Sequence, residues 1–143
     1  MDIPFTKEQY HELLKIAYLG GWLANSRRTE DELKDISRIE QHIYSFAAQF
    51  GAGGLIEEND GEYFPTRGME DLLLPIIDEY DDNAFWDDLI DRLAARDILA
   101  EHGEERIGKI DPNEYDGQLD ERASVYEEEF EEFGLDRLQI VER

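Results

Sequence analysis

The chain contains no cysteine. That excludes a disulfide framework and any thiolate zinc site, and it fits a reducing, cytoplasmic setting. Histidine is scarce at 3 residues, and 14 Lys and Arg face 37 Asp and Glu. So few cations cannot build the basic surface that DNA, RNA or anionic lipid requires, so no direct nucleic-acid binding is expected. No apolar run approaches the roughly 18 to 20 residues that span a bilayer, and the opening MDIPFTKEQYHELL lacks a basic segment followed by an apolar one. The expectation is a protein neither exported nor membrane-embedded.

Catalytic signatures are missing as well. Gly51-x-Gly53-Gly54 lacks the lysine and following Ser or Thr of a phosphate loop, and Ser26, Ser37, Ser45 and Ser124 stand in no nucleophile motif. Glu8-x-x-His11 has the spacing of a di-iron ligand pair, but those bundles need a second copy, and Ile39 and Leu99 stand three residues before His42 and His102. Asp111-x-Asn113 opens like a calcium loop. It then fails, with Tyr115 at the fifth place, Asp116 at the glycine place and Arg122 at the twelfth. No enzyme activity, cofactor or metal is expected.

What is present is acid on a foldable background. Hydrophobic residues make up 41% of the 143, with 7 Phe, 7 Tyr and 2 Trp, enough for one ordinary domain with a core. The net charge of −23 is uneven: residues 1–53 hold 8 acids and 6 bases, net −2, which leaves −21 for residues 54–143. The organisation expected is therefore a near-neutral helical hairpin over 1–50, a flexible glycine joint at 51–54, and a strongly acidic part over 55–143.

Periodicity predicts an all-α domain of four to five main helices. The central one runs over Tyr80–Leu99, with Asn83 as N-cap and a stripe of Trp86, Leu89, Ile90, Leu93, Ala94 and Ile98. Helix one opens at the Thr6/Gln9 capping box, and Gly20-Gly21 within it imply either a close helix crossing, the favoured reading, or an early stop. Helix two opens at a Thr29/Glu32 box, carries its stripe to Gly51 and pairs antiparallel with helix one. Residues 55–64 admit a small β-hairpin about Asn59-Asp60-Gly61. A third helix starts at Thr66 and meets a kink at Pro75, residues 104–117 read mostly as loop with one turn at Glu105–Ile110, and a last helix spans Leu119–Phe133 to stop at Gly134. The tail LDRLQIV, 135–141, reads as either a short helix or a strand. The stretches TKEQYHELLKIAYLGGWL (6–23) and FWDDLIDRLAARD (85–97) resemble parts of small bacterial domains, a likeness that implies no activity.

The acids fall in clusters: Glu57, Glu58, Asp60 and Glu62; Asp78, Glu79, Asp81 and Asp82; Asp87, Asp88 and Asp91; and Glu127, Glu128, Glu129, Glu131 and Glu132. Asp78, Asp81, Asp82, Asp87, Asp88, Asp91 and the five glutamates of the last helix are the candidate contacts for a basic protein partner. Such a protein is a non-enzymatic binding module or inhibitor, acting by nucleic-acid mimicry if its carboxylates line up in rows. The competing readings are an accessory domain whose acidity serves only solubility and a carboxylate metal-binding protein. Trp22 and Trp86 sit within apolar stripes and are read as core.

Overall fold

The computed structural model describes residues 3–139. It is mostly helical with a minor β-hairpin: α1 (Lys7–Asn25), α2 (Lys34–Tyr44), β1 (Ile56–Asn59), β2 (Glu62–Pro65), α3 (Arg67–His102), α4 (Glu104–Ile107) and α5 (Pro112–Phe133). Its contacts divide the chain into two compact units, Met1–Tyr80 and Asp81–Arg143.

In the first unit the capping box at Thr6 forms as expected: the Gln9 amide N–H donates to Thr6 Oγ1 at 3.2 Å and the Thr6 N–H to Gln9 Oε1 at 2.9 Å. Three pairings fix α1 and α2 as an antiparallel hairpin. The Tyr10 hydroxyl donates to the Ile43 carbonyl, Gly21 packs on Glu40, and Asn25 Nδ2 donates to Ser37 Oγ at 3.1 Å. Their order runs backward along α2 as it runs forward along α1. Helix α2 does not open at Thr29. Asn25 Oδ1 accepts the Leu33 N–H at 2.9 Å, and Glu32 turns to Ser37 Oγ at 2.6 Å. A contact from α1 thus takes the amide of Leu33, which becomes the residue before the helix, while Glu32 is engaged with Ser37 and not with Thr29, and the helix starts at Lys34. Nor does α2 reach Gly51: it ends at Tyr44, and tight turns, in which the N–H groups of Ala47, Gln49 and Gly51 donate to the carbonyls of Tyr44, Phe46 and Ala48 in turn, carry the chain on. Residues 51–54 are tied down by the Ala52 N–H to the Ala47 carbonyl and by Thr66 Oγ1 to the Gly54 carbonyl, 2.9 Å.

The hairpin expected over 55–64 forms. Its register pairs Ile56 with Pro65 and Asn59 with Glu62, and Asp60 and Gly61 both take positive φ (52° and 84°), as a two-residue turn of the right twist demands. Gln41 of α2 covers its edge: Nε2 donates to the Tyr63 carbonyl at 2.6 Å and Oε1 accepts the Tyr63 N–H at 2.8 Å, so the side chain stands in for a missing strand. The unit's core gathers Tyr10, Leu14 and Tyr18 of α1, Tyr44, Ala47 and Ala52, Ile56, and Met69, Leu73 and Ile77 of α3. Phe50 stacks on Tyr10 at 4.2 Å between centroids. Leu14 and Leu73 are at most 1% exposed and each stabilises by about 1.5 to 3 kcal/mol.

Two expectations about the later helices are corrected. The third and central helices are one 36-residue element: α3 passes through Pro75 and Asn83 without a break, so Asn83 is an interior residue and not a cap. Pro75 is solvent-exposed, where it forfeits one backbone hydrogen bond. Residues 104–117 are not mostly loop. Asp111 caps α5 by accepting the Asn113 N–H at 3.0 Å, and Pro112 occupies the first helical position, where its missing donor costs nothing. The Asp-Pro pair read as a break was a start. Gly134 ends α5 with φ 55° as expected, and the chain continues into a turn over 134–137. Ile140 and Val141 of the tail lie outside the described residues.

In the second unit the stripe of α3 is centred on Ile90, Ala94 and Ile98, which are buried. Leu89 and Leu93, expected to be buried in the same stripe, are half-buried at its margin. Phe130 of α5 is buried, its ring 5.4 Å from Trp86 and 6.0 Å from Tyr126. Polar contacts join the two elements alongside. Tyr126 donates to Asp97 Oδ2 at 2.5 Å and accepts from Arg96 Nη2 at 2.9 Å, while Arg122 pairs with Glu101.

Candidate acidic groove

Within the second unit, α3 and α5 edge a groove of about 410 Å³ lined by Asn83, Trp86, Asp87, Ile90, Glu127, Phe130 and Glu131. Its construction follows from helix spacing. Trp86 and Ile90 are four apart and turn toward Phe130, while Asp87 on one helix and Glu127 and Glu131 on the other are the next positions around each cylinder. Apolar contact between the helices therefore draws carboxylates up on both lips. All three are exposed, and the floor is aromatic and aliphatic.

Of the acids singled out in the sequence, the groove thus brings together Asp87, Glu127 and Glu131. Asp91 lies one turn beyond Asp87 and is exposed. Asp88 points to Arg92 at 2.7 Å, the exposed pair that the i,i+4 order implies. Glu129 is half-buried and held by Arg137 at 3.1 Å, with the Arg137 guanidinium 4.3 Å from the Phe133 ring centroid. Glu128 and Glu132 are exposed outside the groove lining, as is Asp82, and Asp81 is half-buried. Asp78 is exposed and belongs to the first unit, as do Glu57, Glu58, Asp60 and Glu62 on the hairpin.

Sequence reasoning placed Trp86 in the core. It is half-buried and forms the groove floor, and the signal for this was its position one residue before an acidic pair. It also missed Glu40, a carboxylate set between α1 and α2. Tyr44 donates to Glu40 Oε1 at 2.7 Å, and burial nonetheless raises the Glu40 carboxyl above its ordinary range. The approach is so close that a Cβ on Gly21 would stand 2.6 Å from Glu40 Oε1. The close crossing expected at Gly20-Gly21 is this one, and it uses Gly21 alone. His11 has Nε2 buried without a hydrogen-bond partner among the described residues. The Glu8 carboxyl is lowered first by a backbone hydrogen bond and then by Thr6, with the His11 charge a minor cause.

Among the described residues no group of three or more His, Asp or Glu is placed to hold a metal ion, and no helix is long and apolar enough to cross a membrane. Fold and groove together define a mostly helical protein with an anionic, aromatic-floored cleft on one unit. Comparison with family models, curated proteins and solved structures finds no match to this chain.

Proposed function

We propose that the protein is a non-enzymatic binding module whose second unit engages a basic protein partner, seating an arginine or lysine side chain of that partner in the groove between α3 and α5. The observation that carries this reading is the convergence of Asp87, Glu127 and Glu131 over Trp86 and Phe130. Carboxylates at the lips offer charge-assisted hydrogen bonds to a guanidinium, and the aromatic floor offers a face for its flat side. The rest of the acidic surface steers a cationic partner toward it and repels nucleic acid. Two short rows of carboxylates, Asp87 with Asp91 and Glu127 with Glu131, give the charge the linear order that mimicry of a nucleic-acid backbone requires. The absence of cysteine suits a partner met in the cytoplasm.

The test is titration with an arginine-rich peptide, followed by the fluorescence of Trp86 in a Trp22→Phe background. Reversing Asp87 and Glu131 to lysine should weaken binding at least about tenfold, a loss of about 1.4 kcal/mol or more. Reversing Glu57 and Glu58, the same charge change on the hairpin, should alter it far less. Equal effects from both variants would mean that the acids act only as a diffuse field serving solubility.

A further inference from the structure

We infer that a second copy of this chain docks on the outer face of α1, the two helices crossing antiparallel about Gly20. Helix α1 has two faces. One carries Tyr10, Leu14, Tyr18 and Gly21 into the core of the first unit. The other reads Glu12, Ile16, Gly20 and Leu23 at spacings of four, four and three, and is followed four residues later by Arg27 just past the helix end. Every one of these is exposed, Ile16 at 65% and Leu23 at 68%. Beside this stripe Leu19, Trp22 and Leu23 share an apolar groove with Ile76, Ile77 and Tyr80 of the same unit, so the apolar surface is contiguous and not a scatter of single residues.

Charge order selects the occupant. The stripe is acidic at its start, apolar in its middle and basic at its end. Laid against its own copy in the antiparallel sense, Ile16 meets Leu23 of the copy, Leu19 meets Gly20, and Glu12 meets Arg27. A surface that is its own complement under a two-fold rotation is what an isologous dimer requires. Gly20 supplies the second, independent argument. A glycine inside a helix costs about 1 kcal/mol relative to alanine. Gly21 is explained by Glu40, whereas a Cβ on Gly20 would meet nothing within 4 Å. Among the described residues no contact accounts for Gly20, and a missing side chain at the centre of an exposed apolar stripe lets another helix axis approach closely. Electrostatics favour the same location. Residues 1–53 carry −2 of the −23 charge, so α1 is where two copies meet with least repulsion.

The full chain is tested by sedimentation equilibrium from roughly 1 µM to about 500 µM. The expected result is a twofold rise in mass that strengthens with added salt, because salt screens the repulsion between the two acidic parts. Ile16→Glu with Leu23→Glu should leave a monomer. Should that variant misfold, Glu12→Arg and Arg27→Glu serve instead: each alone should weaken association at least about threefold, and the two in one chain should restore it. Single cysteines fix the register in a chain that has none of its own. Gly20→Cys should cross-link to itself on oxidation. Glu12→Cys should not, since its copy lies about 22 Å away along the helix, but it should cross-link to Arg27→Cys. A monomer at every concentration, a dimer indifferent to these substitutions, or self-linking of Glu12→Cys as fast as Gly20→Cys would overturn the inference.

Discussion

Gly21→Ala is the substitution for which the structure makes the most specific energetic prediction. In an unobstructed helix interior this change stabilises by about 1 kcal/mol, because alanine has less backbone freedom to lose. At position 21 the new Cβ would stand 2.6 Å from Glu40 Oε1, so the carboxylate must swing away and give up the 2.7 Å hydrogen bond from Tyr44. A hydrogen bond to a charged group contributes about 1.5 to 3 kcal/mol, and the Tyr44 hydroxyl, on a residue only 2% exposed, would lose its acceptor. The net expectation is a loss of about 0.5 to 2 kcal/mol. In a Glu40→Ala background the obstacle is gone, and the same substitution should stabilise by up to about 1 kcal/mol. The coupling between positions 21 and 40 is thus about 1.5 to 3 kcal/mol and changes the sign of the effect. Urea unfolding measured by the fluorescence of Trp22 in a Trp86→Phe chain follows the first unit alone. If Gly21→Ala stabilised equally in both backgrounds, the packing of Glu40 on Gly21 would be refuted.

Four further outcomes are expected. Burial raises the Glu40 carboxyl, a group that contributes stability below the carboxyl range and loses it as pH rises through the folded value. Glu40→Gln should therefore stabilise the first unit more at pH 7 than at pH 4, and equal melting shifts at the two pH values would contradict this. Burial pushes the Tyr10 phenol up to about 12 and raises Tyr44 and Tyr18 as well. Their protonated forms support the fold below about pH 10, so the protein should unfold in alkali as pH rises from about 10 toward 12. Absorbance at about 295 nm should show these phenols ionising only with loss of helix; ionisation of all 7 tyrosines in the folded state would count against their burial. In the second unit Ile98→Ala should cost about 2 to 5 kcal/mol and Leu93→Ala clearly less, an order that denaturant melts followed through Trp86 would check. Pro75→Ala should stabilise α3 by up to about 3 kcal/mol, since it restores an amide donor at an exposed interior position; an unchanged melting temperature would show that the Asp71 carbonyl already has a partner.

The sequence by itself determined the mostly helical class, the Thr6 capping box, the turn at Asp60-Gly61 and the stop at Gly134. These rest on interactions between residues a few positions apart, or on a backbone angle that glycine reaches at no cost, so they are present in the local pattern. Tertiary contacts decided the rest. Whether Thr29 or Leu33 opens α2 depended on Asn25, eight residues before Leu33, whose side chain accepts the Leu33 N–H and fixes that residue as the one before the helix. That α3 continues through Pro75 and Asn83 depended on packing Leu73 and Ile77 into one unit and Ile90 and Ala94 into the other, enough apolar burial to outweigh one missing hydrogen bond. The acidic clusters were visible in the sequence, but their grouping was not. Asp87 stands 40 residues from Glu127, and no local rule relates them. Their approach is a by-product of Trp86 meeting Phe130, because helix geometry places the neighbouring carboxylates at the edge of whatever contact their apolar faces make.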